Sequence, residues 1–240
     1  MPKHRCLISR AIMFTLMCAH DAFAAGGPSN YTAERAEMVM RQIAERGVRD
    51  ERVLSAMRKV PRHEFVPDSE KRHAYRDSPL PIGEGQTISQ PYIVALMTEL
   101  VRPEKSHRVL EVGTGSGYQA AVLAEIVEHV YTIEIEPNLA QRATEVLTRL
   151  GYQNITVRTG DGYAGWEEHA PFDIIIVTAA PDHIPQPLID QLKQGGRMVV
   201  PVGPTYATQD LRVLEKDATG RVVTKNVAPV RFVPLRRRGD

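Results

Sequence analysis

From Arg108 onward the apolar residues gather in short, nearly unbroken runs, and the stretches between them repeat apolar positions at helical spacing. The runs predict strands over Arg108–Val112, Val130–Ile135, Ile155–Arg158, Phe172–Thr178, Arg197–Val202, Leu211–Glu215 and Val227–Val233. Helices are expected over Tyr118–Glu128, Pro137–Leu150 and Pro187–Gln194. Strand and helix alternate, and a run such as DIIIVT shows no polar face to water, so the sheet should be largely parallel and covered on both sides. Only loops join the last strands, which predicts an antiparallel edge. Upstream the pattern is helical over Thr32–Arg46, closed by Gly47, then over Asp50–Lys59, stopped by Pro61, and over Gln90–Val101. Residues 61–91 between these helices are irregular and include SPLPIGEGQTISQP; so long a stretch inside a compact domain is usually functional.

The first strand of the alternating region runs into RVLEVGTGSGY at residues 108–118, where Gly113, Gly115 and Gly117 follow Glu111. A buried strand ending in a glycine-rich turn that opens a helix brings bare backbone close to a ligand. A dinucleotide fingerprint would read G-x-G-x-x-G, with a pyrophosphate on the helix N-terminus. Here the third glycine comes one residue early, and a carboxylate aimed into the mouth of the turn would repel a pyrophosphate while holding an ammonium group. S-adenosylmethionine has an ammonium, a sulfonium and no phosphate. The second strand ends near Glu134, where a carboxylate can accept both hydroxyls of a ribose, with Glu136 as the competing candidate. After the third strand, Gly160-Asp161-Gly162 allows a sharp turn, and Asp161 can accept the exocyclic amine of an adenine or form an Asx turn with no ligand. Thr87-Ile88-Ser89 precedes a helix, where Ser89 is a natural N-cap beside Pro91 and where a helix N-terminus with a hydroxyl can seat a carboxylate.

Composition narrows the alternatives. The 240 residues suit one domain over residues 31–240, and 30 basic against 29 acidic residues argue against a surface that coats nucleic acid. Arg236, Arg237 and Arg238 read as a solvated, frayed tail. Both cysteines, Cys6 and Cys18, lie near the start, leaving the body without a disulfide, a thiolate metal site or a cysteine nucleophile. The eight histidines show no metal-ligand spacing, and no G-x-S-x-G elbow is present. Tyr163 and Trp166 read as packing residues. No apolar run reaches the roughly 18 residues of a membrane span. Residues 1–30 form a leader or extension: Lys3, His4 and Arg5 precede an apolar stretch and Ala22-Phe23-Ala24 resembles a cleavage site, so residues 1–24 can be read as an export signal. The cofactor points the other way, to the cytoplasm; a periplasmic location is the alternative.

Taken together, DSPLPIGEGQTISQPY, VLEVGTGSGYQAA, GDG, the APFDIIIVTAAPDHIPQPLIDQL segment with GGRMVVPVG, and the closing VRFVPL resemble the protein-L-isoaspartate O-methyltransferase family from about Met38 to Leu235. The resemblance implies a Rossmann-like S-adenosylmethionine-dependent methyltransferase fold with extra N-terminal helices, no metal, and methyl transfer to the free carboxylate of L-isoaspartyl residues in damaged proteins. It places the active-site serine at Ser89, with Thr87 and Ile88 on the substrate side, and the cofactor acids at Glu111, Glu134 and Asp161, with Gly113, Gly115, Gly117 and Gly162 around them. Isoaspartyl proteins and peptides would be the partners of a monomer that engages neither nucleic acid nor membrane. The rivals are a methyltransferase of the same fold acting on RNA or a small molecule, an NAD-dependent oxidoreductase, and a non-catalytic adenosyl-binding module.

Overall fold

In the computed structural model, which describes residue 1, residues 30–205 and residues 207–237, a short hairpin of β1 (Leu80–Gly83) and β2 (Gln86–Ile88) precedes the main sheet. Residues 2–29 of the leader, with Cys6, Cys18, His4 and His20, and Arg238 lie outside the described residues. The main sheet is made of β3 (Arg108–Val112), β4 (His129–Glu134), β5 (Ile155–Thr159), β6 (Phe172–Val177), β7 (Leu192–Val202), β8 (Gln209–Lys216) and β9 (Val222–Val230). Its order is β5-β4-β3-β6-β7-β8-β9. The first five of these neighbours pair in parallel, and β8 and β9 add the antiparallel edge expected from their loop connections.

The helices are α1 (Tyr31–Glu37), α2 (Glu51–Lys59), α3 (Pro91–Leu100), α4 (Tyr118–Ala124), α5 (Pro137–Arg149) and α6 (Gln186–Gln191). Strands buried on both faces explain the unbroken apolar runs. On one side Val109, Ile174, Ile176 and Val199 join the core built by α2, α3, α4 and α5; on the other Leu110, Val112, Ile175, Val177 and Met198 pack with Leu188 of α6 and Trp166.

Several boundaries move for identifiable reasons. The single helix expected over Thr32–Arg46 is three pieces in continuous succession: α1, capped by the Asn30 side chain accepting from the Ala33 amide at 3.2 Å, a π-helical turn over Met38–Ile43, and a 3₁₀ turn ending at Gly47. Gly47 has φ of 103°, the left-handed stop that glycine permits. Strand β7 starts at Leu192, so α6 stops at Gln191 instead of Gln194. Strand β9 begins at Val222 although residues 223–227 are exposed, because an edge strand needs only the backbone ladder with β8. Residues 231–237 then leave the sheet. The segment 61–91 is anchored by Arg62, fully buried, which donates through Nε to the Ala74 carbonyl at 2.8 Å and lies 4.9 Å from the Tyr118 ring.

The N-terminal helices are fixed to α3 by one carboxylate. Glu99 accepts the backbone amides of Arg49 at 2.6 Å and Asp50 at 2.7 Å, and Asp50 in turn caps α2 through the Arg52 amide at 2.9 Å. Replacing Glu99 with Ala should lower unfolding stability by about 2 kcal/mol, the worth of charged hydrogen bonds to amides, while Glu99→Gln keeps an acceptor and loses less. Urea denaturation of both variants checks this; equal midpoints for Glu99→Ala and the parent chain would remove the link.

Candidate active site

The carboxyl ends of β3, β4 and β6 converge, as they must where an α/β sheet receives a ligand. The glycine loop is clamped onto β4: the amides of Gly113 and Thr114 both donate to the Ile133 carbonyl, at 2.8 and 3.2 Å. From β6, the Thr178 hydroxyl donates to the Gly113 carbonyl at 2.5 Å. Gly113 has φ of 98°, and a Cβ there would overlap the Thr178 hydroxyl, so no other residue fits. At Gly162 a Cβ would overlap the Val112 side chain, so the turn after β5 lies flat against the end of β3.

Two carboxylates flank the loop, differently solvated. Glu134, 6% exposed, accepts the Gly115 amide at 2.8 Å and the Glu136 amide at 3.0 Å, one on each oxygen. Glu111 is fully buried in β3 and accepts only the Thr132 hydroxyl, at 2.5 Å; its Oε1 has no partner among the described residues. Burial, with the neighbouring Glu134 charge adding to it, pushes the Glu111 carboxyl up to about 8.

A cleft of about 750 Å³ opens over this floor, lined by Thr87, Ile88 and Ser89, by the loop from Gly113 to Ser116, and by Glu134, Gly162 and Thr178. A second cleft of about 950 Å³ adjoins it between Pro79, Gln90, Ile93 and the segment from Pro229 to Val233. Thr87, Ser89, Thr178 and Val233 line both, so they form the wall between them. Ser89 is not the N-cap expected of it. Pro91 starts α3, which moves the cap to Gln90, and Gln90 reaches away to Asp77 at 2.7 Å, a carboxylate also held by Arg46 at 2.5 Å. The Ser89 hydroxyl makes no hydrogen bond among the described residues.

The C-terminal segment closes the far side. Ala180 accepts the Leu235 amide at 2.9 Å and donates to the Val233 carbonyl at 2.8 Å, which lays Val233–Arg236 along the cleft. Arg236 pairs with Glu136 at 2.6 Å and Arg237 lies 3.8 Å from the Tyr163 ring. Arg236 is therefore part of the site's wall and Arg237 is seated on Tyr163, so neither is a frayed tail; their partners lie too far away in sequence for the basic run to announce them.

The model of the family described as Protein-L-isoaspartate(D-aspartate) O-methyltransferase (PCMT) matches residues 33–240. The chain belongs to that family. It is 55% identical over 237 residues to protein-L-isoaspartate O-methyltransferase 2 of Syntrophobacter fumaroxidans, covering 94% of this chain and 96% of that one. It is 62% identical over 186 residues to the Polaromonas protein of the same name, covering 78% and 88%. Among solved structures, a protein-L-isoaspartate O-methyltransferase superposes with a TM-score of 0.76 at 32% identity, over 83% of this chain and 65% of that one. A Plasmodium falciparum beta-aspartate methyltransferase (PCMT), solved in complex with S-adenosyl-L-homocysteine, superposes with a TM-score of 0.73 at 25% identity, over 85% and 98%.

Of the residues that the sequence of this methyltransferase singles out, Thr87, Ile88, Ser89, Gly113, Gly115, Glu134 and Gly162 line the first cleft. Three do not. Glu111 sits behind the loop instead of aiming into its mouth, because it shares the face of β3 that carries Val109 into the core. Gly117, with φ of 86°, makes room for Leu147 and Ala143 of α5. Asp161 accepts the Tyr163 amide at 2.9 Å, an Asx turn beside the cleft. Glu136 is tied to Arg236, which leaves Glu134 as the acid facing the cavity. Tyr163 and Trp166 are buried packing residues, as read. Among the described residues no cluster of His, Cys, Asp and Glu could hold a metal. Thr114 and Thr178 were missed; Thr178 ends a predicted strand at the ligand side of the sheet, a signal that could have found it.

Glu111 makes stability depend on pH with a definite sign. Its folded value, about 8, lies above its ordinary value of 4.5, so between these pH values the folded chain binds more protons than the unfolded one. The Glu111 contribution is therefore whole below about pH 4.5 and is lost as pH rises toward 8. Replacing Glu111 with Gln, which does not titrate, should flatten the fall in melting temperature between pH 5 and 8; identical pH profiles would show that Glu111 titrates normally.

Proposed function

We propose that the first cleft binds S-adenosylmethionine, that the adjoining cleft takes an isoaspartyl peptide, and that Ser89, on the wall between them, orients the carboxylate to be methylated. The reaction is that of the family: methyl transfer from S-adenosylmethionine to the free carboxylate of L-isoaspartyl residues, the first step in repairing damaged protein. The observation that carries the assignment of roles is the shared wall, since a group transferred between two bound molecules must cross where their cavities meet.

The residues fit the cofactor. Gly113 and Gly162 line the cleft with backbone alone, since Thr178 and Val112 occupy the places a Cβ would take, so a flat ligand can lie against them. Glu134, steadied by two backbone amides, keeps acceptor capacity for ribose hydroxyls. Glu111 behind the loop supplies negative charge toward an ammonium once it ionises, and Asp161 stands beside Gly162 at the adenine end. Gly115 and Gly117 shape the loop. On the substrate side Thr87 and Ile88, the last residues of the hairpin strand β2, lead into Ser89.

No general base is required. An isoaspartyl carboxylate with an ordinary value near 3.9 is protonated in only about one molecule in a thousand at pH 7, so it attacks as it stands. The bound donor supplies a methyl group on a sulfonium that leaves as a neutral thioether. What the chain contributes is alignment, worth roughly 7–11 kcal/mol when two reactants are held in line. The Ser89 hydroxyl donates to the substrate carboxylate, helped by the first-turn amides of α3, which a helix leaves unpaired. Val233, Pro234 and Leu235 keep water from the reacting atoms. We assign the reaction to the cytoplasm, where the donor is made, and to a monomer.

Labelled methyl should pass to an isoaspartyl peptide and not to its aspartyl twin; transfer to neither, with cofactor bound, would leave an adenosyl-binding module. Ser89→Ala should lower kcat by roughly 10- to 100-fold, the loss of a hydrogen bond to a charged group. Its affinity for S-adenosyl-L-homocysteine, measured by calorimetry, should stay unchanged, whereas Glu134→Ala should weaken that affinity by tenfold or more. A Ser89→Ala enzyme of full activity would remove Ser89 from the mechanism.

A further inference from the structure

We propose that Thr132 is a positioning residue of the cofactor site, joining buried Glu111 to Thr114 at the cleft wall in a hydrogen-bonded chain that reverses, releasing one proton, when a cationic ligand binds. The proposal rests on the reading that the first cleft takes S-adenosylmethionine.

Glu111 and Thr132 are direct neighbours in the parallel pair β3-β4. The Thr132 hydroxyl lies 2.5 Å from Glu111 Oε2 and 2.6 Å from the Thr114 hydroxyl, and Thr114 lines the cleft. All three are buried, with Glu111 and Thr132 at 0% and Thr114 at 3% exposure. A hydroxyl has one proton to donate, so a chain of two hydroxyls and a carboxyl has two self-consistent directions. With Glu111 protonated, its O–H donates to Thr132, Thr132 donates to Thr114, and Thr114 presents a donor to the cleft. With Glu111 ionised, Thr132 donates to Glu111, Thr114 donates to Thr132, and the Thr114 oxygen presents an acceptor.

An ammonium needs the second direction. Burial holds the carboxyl neutral in most molecules at pH 7, and the charged group that acts on it from the neighbouring strand, Glu134, is of like sign and reinforces this. The register partners of Glu111, Thr132 on β4 and Ile176 on β6, carry no charge. A cation in the cleft favours the ionised form. The proton then passes from Glu111 to Thr132, the Thr132 proton to Thr114, and the Thr114 proton to solvent at the cleft. Glu111 thereby acts on a ligand that it does not touch, and the orphaned Oε1 marks an acid whose charge is unmet until that ligand arrives.

The test is calorimetric binding of S-adenosyl-L-homocysteine to the full chain in two buffers of unlike ionisation enthalpy. At pH 7 the parent chain should release most of one proton per ligand, and Glu111→Gln none. Affinity should rise about tenfold per pH unit from pH 6 to 7.5, level off above pH 8, and be flat for Glu111→Gln. Thr132→Val should bind roughly tenfold more weakly at pH 7, and Thr132→Ser, which keeps the hydroxyl, should bind as the parent does. Equal proton release by the parent and Glu111→Gln, a flat parent pH profile, or parent-like affinity in Thr132→Val would each overturn the chain. The parent profile alone decides the matter if a variant fails to fold. A parent chain that binds no S-adenosyl-L-homocysteine would instead overturn the cofactor assignment, and the proposal with it.

Discussion

The site depends on the double clamp that holds the glycine loop against its neighbouring strands. Two amides of the loop share the Ile133 carbonyl of β4, and one hydroxyl from the end of β6 takes the Gly113 carbonyl. These bonds satisfy backbone groups that would otherwise be buried without partners, where each orphan costs about 1–3 kcal/mol. They also fix the positions of three strand ends at once. Because Gly113 cannot accept a Cβ, the clamp and the bare floor of the cleft are the same feature. The Gly115 amide is then delivered to Glu134 at 2.8 Å, so the acid facing the cleft is held by the loop that forms the cleft's floor.

Around this floor the walls come from distant parts of the chain. The hairpin docks its tip on α5, where Asn138 donates to Glu84 at 3.1 Å, and Ile82 packs over Gly115. Asp77 holds Gln90 and Arg46 together, so the strand exit that carries Ser89 is anchored to the N-terminal helices. The C-terminal strap is fixed by two backbone bonds to Ala180, just past the Thr178 that clamps the loop. A shift in any wall is thus felt at the junction of the two clefts, where Thr87, Ser89, Thr178 and Val233 are shared.

What the sequence disclosed follows from how local each signal is. The parallel strands were legible because burial on both faces removes polar alternation, and Glu134 was legible because the distance from glycine loop to second strand end is set by one helix and one turn. Ser89 lines both clefts but was misread as a cap, since Pro91 at the first helical position passes the cap to Gln90. The aim of Glu111 was misread although the period of a strand contained the answer: two residues from Val109, it must share that residue's face. The links from Thr132 to Glu111 and from Arg236 to Glu136 could not be read at all. The first needs the register of β3 on β4, and the second needs the path of the chain after β9.

Two acids beside one loop are a poor choice for stability. A buried carboxyl with one hydroxyl partner and a like charge on the next strand is worse than an apolar residue of the same volume, which is why burial drives its proton affinity up. A fold selected for stability alone would not retain it; a fold selected to bind a cation has reason to. Protonation of Glu111 removes its like-charge interaction with Glu134 in the free chain, and on the proposed reading the acid ionises only when positive charge enters the cleft, so affinity for a cation rises with pH. On the proposed assignment, an acid that is costly to bury in the free protein favours a charged ligand over a neutral one, because only a positive charge stabilises its ionised form.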